Sequence, residues 1–122
     1  MSLTIIHQRL ATTMILFNII AAVWGLVIYF RDRSITGNYW GILATGELLI
    51  LAQAVLGFVL WIQGAQPGRG IHLLYGVVAA ITLPAIYGFS QGRDDRRMAL
   101  GYSLILLFLV GIGWRAITTG TG

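Results

Sequence analysis

The sequence predicts an all-α integral membrane protein, an up-down bundle of four transmembrane helices. Three observations carry that expectation. Of the 122 residues, 57% are hydrophobic and only 10% charged, with a mean hydropathy of +0.83. That is too little charge to cover a water-soluble domain of this size. Four apolar stretches, about 5–30, 39–62, 71–89 and 98–117, each approach or exceed the roughly 20 residues a helix needs to cross a bilayer. The connections between them are short and rich in arginine and glycine. Sequential helices are therefore expected as antiparallel neighbours in a single domain spanning 1–122.

The apolar run 10–30 is longer than a signal-peptide core and stops at Arg31-Asp32-Arg33, so it reads as a retained first span. After the polar turn, Asn38 stands where an N-cap is expected for the second helix. The breaker-rich stretch from Gln63 through Pro67 and Arg69 to Gly70 closes that helix. Pro84 falls inside the third span and removes one backbone donor, which predicts a kink. Between Gln91 and Arg97 the chain turns again, with an aspartate available to cap the fourth helix. A weak internal echo links Ile28-Tyr29-Phe30-Arg31-Asp32-Arg33 with Ile86-Tyr87-Gly88-Phe89 and the charged turn after it. Each stretch closes a helix that begins with a histidine, as two related hairpins would.

The net charge of +4 comes from eight arginines, with no lysine. They lie in loops and at helix ends, where topology and anionic headgroups account for them, so no nucleic-acid partner is expected. Arg31, Arg33, Arg93, Arg96 and Arg97 share one side, against Arg9, Arg69 and Arg115 on the other. The positive-inside rule then expects a multi-pass protein of a prokaryotic cytoplasmic membrane with both termini outside. Trp61 and Trp114, and Tyr39 and Trp40 at the opposite edge, are placed as aromatic belts would be. There is no cysteine, which excludes disulfides, thiolate metal sites and covalent c-type haem. Serine and threonine occur without a base or metal constellation, so the chain is not expected to be catalytic on its own.

His7 and His72 are the two histidines. Each opens a helix, and the first and third helices run the same way, so both imidazoles are expected at similar depth on diagonal helices. Adjacent axes about 8–10 Å apart give a diagonal of roughly 11–14 Å. That span suits two imidazoles on one iron with a porphyrin edge-on between the helices, that is, haem b. Ala11, Met14 and Asn18 continue the face of His7; Gly76, Ala79 and Leu83, with Ala80 beside them, continue that of His72. Small residues such as Gly76 leave room for a flat macrocycle. Arg9, Arg69 and Arg115 lie on the same side and suit its propionates. Interfacial histidines and small packing residues also explain this pattern without any ligand.

His7-Gln8-Arg9-Leu10, Gln53-Ala54-Val55-Leu56-Gly57 and His72-Leu73-Leu74-Tyr75-Gly76, in that order over the first three helices, resemble one four-helix half of haem A synthase. More loosely they resemble other small membrane b-type cytochromes. The resemblance implies that His7 and His72 ligate haem. The chain departs from that family in having His7-Gln8-Arg9 in place of His-Arg, no second half, and no long outer loop with an acidic residue.

Glu47 is the acidic residue within a span, with Asn18 and Thr45 as expected partners in a deep polar spot and Gln53 nearly two turns further along. An intramembrane carboxyl marks either proton coupling or a neutral hydrogen-bonding group. The leading reading is thus a small b-type haem protein in electron transfer, or an accessory subunit of a respiratory or photosynthetic complex. The alternatives are a cofactor-free structural subunit beside other membrane subunits in the lipid bilayer, and a small proton-coupled transporter using Glu47.

Overall fold

The computed structural model describes residues 3–64 and 71–121. Among them the chain forms four helices: α1 (Leu3–Phe30), α2 (Gly37–Ile62), α3 (Ile71–Phe89) and α4 (Arg96–Thr121). All four are long and apolar enough to cross a membrane, and their outward faces are apolar. Phe30, Ile62 and Phe89 are 76%, 68% and 90% exposed, surface that only lipid solvates without cost. This is a four-helix multi-pass membrane bundle.

α1 packs against α2 and α4, and α3 against the same two, so α1 and α3 stand diagonally opposite. The α1–α4 seam is the tightest. Ala21, Ala22 and Gly25 line α1 there, facing Ala99 and Ser103, and all five are buried. Lipid supplies no hydrophobic force between helices, so small residues that let backbones approach carry such seams. A Cβ on Gly25 would meet Ser103 Oγ and lie 2.5 Å from the Tyr39 hydroxyl oxygen.

Local chemistry departs from expectation in two places. α2 starts earlier, with Thr36 as its N-cap and no side-chain bond closing it, so Asn38 lies within the first turn. The cause is Ile35, which is buried and donates its N–H to the Asp94 carbonyl at 2.7 Å, fixing where the chain enters the helix. Tyr39 is not a belt residue either. It is fully buried and its hydroxyl donates to the Ala21 carbonyl at 2.8 Å. Trp40 packs edge-on to Tyr87 and Tyr102, at centroid distances of 5.4 and 5.6 Å. Trp61 and Trp114 are exposed near helix ends, as belt residues are. α3 continues through Pro84.

The echo between the ends of α1 and α3 is structural. Arg33 N–H bonds the Ile28 carbonyl and Asp32 N–H that of Tyr29; Gly92 N–H bonds Tyr87 and Gln91 N–H bonds Gly88. Both are Schellman closures, with Asp32 and Gln91 at φ +56° and +55° where glycine or asparagine is usual. At this end α4 is tied to α1. Arg96 Nε donates to the Tyr29 carbonyl at 2.8 Å and lies 3.2 Å from the Asp32 carboxylate. Its guanidinium carbon sits 4.0 Å from the centre of the Tyr29 ring.

Candidate functional site

At the other end of the bundle His7 and His72 come together. Their ring centroids are 6.3 Å apart and the ring planes are 75° apart. Both side chains are partly buried, and they bridge helices that make no backbone contact with each other. The diagonal placement expected from the sequence is what the bundle delivers.

Each imidazole is held by a different neighbour. His72 Nδ1 lies 2.7 Å from the Ala116 carbonyl of α4. A carbonyl only accepts, so Nδ1 carries the hydrogen and Nε2 keeps its lone pair for a ligand role. His7 Nδ1 is buried and has no hydrogen-bond partner among the described residues. Its ring lies along Gly57 of α2, where a Cβ would come within 3.3 Å of His7 Cε1. Gln53, one turn before Gly57, donates from Nε2 to the His7 backbone carbonyl at 2.6 Å. Gln53 thus ties α2 to α1 and His72 ties α3 to α4, and the two imidazoles meet between these pairs.

The remaining expected residues are distributed as follows. At Gly76 a Cβ would find open space. Arg9 is exposed, and two residues along a helix from His7 it projects from nearly the opposite face. Arg115 is exposed and adjoins Ala116, whose carbonyl holds His72. Arg69 lies outside the described residues. Ala116 leaves no residue-type signal in the sequence, because it acts through its backbone carbonyl. Gln53 and Gly57, on one helix face by their i, i+4 spacing, are joined to His7 only by the helix packing.

Glu47 is not hydrogen-bonded to the partners proposed for it. Both its carboxylate oxygens are buried without a partner, and the same holds for both amide atoms of Asn18. Asn18 instead packs on Gly46, whose Cβ would lie 3.3 Å from Asn18 Oδ1. Thr45 is exposed and spends its hydroxyl on the Gly41 carbonyl at 2.8 Å. Gln53 belongs with His7. Among the described residues no group of three or more His, Cys, Asp or Glu side chains converges as a metal site; the histidine pair stands by itself.

Fold and site together define a four-helix membrane protein with a diagonal histidine pair near one end. No family model and no solved structure matches the chain. It is similar to the undecaprenyl phosphate-alpha-4-amino-4-deoxy-L-arabinose arabinosyl transferase of Pectobacterium carotovorum subsp. carotovorum (strain PC1). The two are 35% identical over 98 residues, 76% of this chain and 18% of that one. The chain therefore spans less than a fifth of the length of the curated relative it matches.

Proposed function

We propose that this is a small membrane b-type haem protein, acting in electron transfer or as an accessory subunit of a respiratory or photosynthetic membrane complex. The observation that carries the reading is the meeting of His7 and His72 across the bundle diagonal, ring centroids 6.3 Å apart. A gap of that size leaves room for one metal ion that both imidazoles would hold, and two imidazoles would suit a haem iron.

The residues present fit such a group. His72 keeps a free Nε2 because Ala116 holds its Nδ1, and His7 Nδ1 is a buried nitrogen without a partner among the described residues. A Cβ at Gly76 would meet no atom within 4 Å, so nothing there obstructs a bound ring. His7 and His72 would hold the iron, Gln53 would fix the backbone carrying His7, and Arg115 beside Ala116 would be the propionate partner. Bound haem supplies reversible one-electron exchange. The bundle would supply the two imidazoles that hold it.

The excess of arginine in the loops at 31–36 and 90–95 and the turn after it supports both termini outside, in a prokaryotic cytoplasmic membrane. That puts the histidine pair near the outer face. A second reading, a cofactor-free structural subunit, draws support from the arabinosyl transferase: there a similar stretch forms part of a much longer chain.

The deciding experiment is a visible spectrum of the full chain, purified in mild detergent from haem-replete cells, oxidised and then reduced. Narrow bands of a low-spin bis-imidazole centre are expected on reduction. A colourless protein would overturn the haem reading and leave the structural subunit.

A further inference from the structure

We infer that the end of the bundle away from the histidines carries a site for an anionic phospholipid, seated on α1 and the turn after it. The observations start with Asp32. Its left-handed backbone, φ +56°, and its 3.2 Å approach to Arg96 commit its carboxylate to α4. Arg31 and Arg33, on either side of it, are both exposed and have no carboxylate partner among the described residues. Two cationic side chains, flanking an exposed carboxylate that pairs with α4, thus lack an ion pair of their own among the described residues at a membrane edge.

Both arginines border open space. A cavity of about 250 Å³ is lined by Arg31, Arg33, Ser34 and Thr36 together with Trp24 and Val27. Thr36 makes no side-chain capping bond to α2, so its hydroxyl remains available. A second, apolar groove of about 470 Å³, open to the outside and lined by α1 and Arg31 alone, shares Trp24, Val27 and Arg31 and continues down the helix past Val23 and Ile20. Ile20, Trp24, Val27 and Arg31 follow one another at i+4, i+3 and i+4, so they form one stripe along the helix. The stripe is apolar within the membrane and ends in a guanidinium at its edge.

That order, apolar track then paired arginines with hydroxyls, is the chemistry of a phosphate headgroup attached to a hydrocarbon chain. The arginines and hydroxyls meet the phosphate oxygens, and the chain lies along Trp24, Val23 and Ile20. A free phosphate would use the first cavity and leave the groove empty. The groove continues from that cavity through shared residues, so the occupant is a lipid. The site lies at the end of α1 remote from His7, and it stands or falls separately from haem binding.

The test is native mass spectrometry of the full chain in detergent, titrated with phosphatidylglycerol or phosphatidylcholine of matched chains. Preferential retention of phosphatidylglycerol is expected. Arg31→Gln with Arg33→Gln should weaken it roughly tenfold or more, while Arg93→Gln with Arg97→Gln, which removes the same charge elsewhere, should leave it unchanged. Trp24→Ala should weaken retention of the lipid, and excess inorganic phosphate should not displace it. Equal retention of both lipids would overturn the proposal, as would equal effects of the two arginine pairs. Displacement by phosphate would assign the site to a free anion instead. All four arginines and Trp24 are at least partly exposed, so these variants test the surface and not the fold.

Discussion

His7 and His72 meet ring to ring at 6.3 Å although the helices that carry them, α1 and α3, make no backbone contact. If one iron joins them, His7→Ala and His72→Ala each abolish or convert the reduced visible spectrum. The double variant then loses little beyond either single one, because both residues serve the same metal. Gly76→Phe should expel haem by filling the space beside His72, whereas Gly41→Ala, also facing open space, should not. Interfacial histidines would give no colour to lose, and three variants that assemble like the parent.

Gln53 ties α2 to the backbone of His7. Gln53→Leu removes that bond and should lower stability by about 0.6–1.7 kcal/mol, the range for interhelical hydrogen bonds in membranes. Unfolding of the detergent-solubilised protein measures it. If haem binds as proposed, its affinity should fall while its band positions stay unchanged, since Gln53 bonds the His7 backbone and not the imidazole. Altered band positions would mean that Gln53 reaches the ligand field directly.

At Gly25 there is no room for a side chain: a Cβ collides with Ser103 Oγ and the Tyr39 hydroxyl. Gly25→Ala should cost about 1–3 kcal/mol through overpacking of the α1–α4 seam, and Gly25→Leu should prevent stable assembly. Gly111→Ala, in open space on α4, is the control expected to behave like the parent. Equal stability of Gly25→Ala and Gly111→Ala would show that the seam is looser than its geometry indicates.

Glu47 brings two carboxylate oxygens into the bundle with no partner for either. If it has no task, Glu47→Gln assembles normally and Glu47→Leu is neutral or stabilising, by up to about 1–3 kcal/mol of relieved desolvation. Glu47→Lys is harmful in any case, since a charge at that depth costs about 2.5–3.5 kcal/mol on insertion scales. Normal expression of Glu47→Gln with loss of a proton-coupled activity would promote the transporter reading.

Outside the spans, Asp95 has its carboxyl held below the ordinary range, chiefly by the hydrogen bond from Arg93, with the Asp95 and Arg97 amides adding to it against some desolvation. A depressed folded value means that its contribution is present above the unfolded carboxylate pKa, about 3.9. The contribution is lost as pH falls through the lower folded value. Asp95→Asn should therefore flatten the acid limb of stability below about pH 4: the variant is slightly less stable than the parent at neutral pH, where the contribution is present, and the two converge in acid. An unchanged acid limb would show that the pair with Arg93 is not coupled to folding.

The four spans were readable because a bilayer demands little more than about twenty apolar residues, and these stretches have them. The histidine pair was readable too, since parallel helices with imidazoles near the same end leave few placements. What escaped were bonds to backbone acceptors. Ala116 holding His72, and Arg96 reaching Tyr29 from 67 positions away, follow from helix packing and not from residue type. The position of Asp32 escaped for a related reason: its left-handed closure is the geometry that glycine ordinarily announces, and an aspartate announces nothing. Glu47 and Asn18 share a chemistry without sharing a bond, which only coordinates reveal.

The α1–α4 seam has a consequence for how the protein is made. Gly25, Ala21 and Ala22 belong to α1, which leaves the ribosome before the other three helices, while Ser103 and Ala99, which close upon them, belong to α4, the last of the four. Until some seventy further residues have been synthesised, a stage of several seconds at about 5–20 residues per second, the small-residue face of α1 has Tyr39 of α2 beside it but not its α4 partner. The close fit that makes the finished bundle compact is therefore the last one available to it. The nascent chain must keep α1 within reach of a helix not yet inserted.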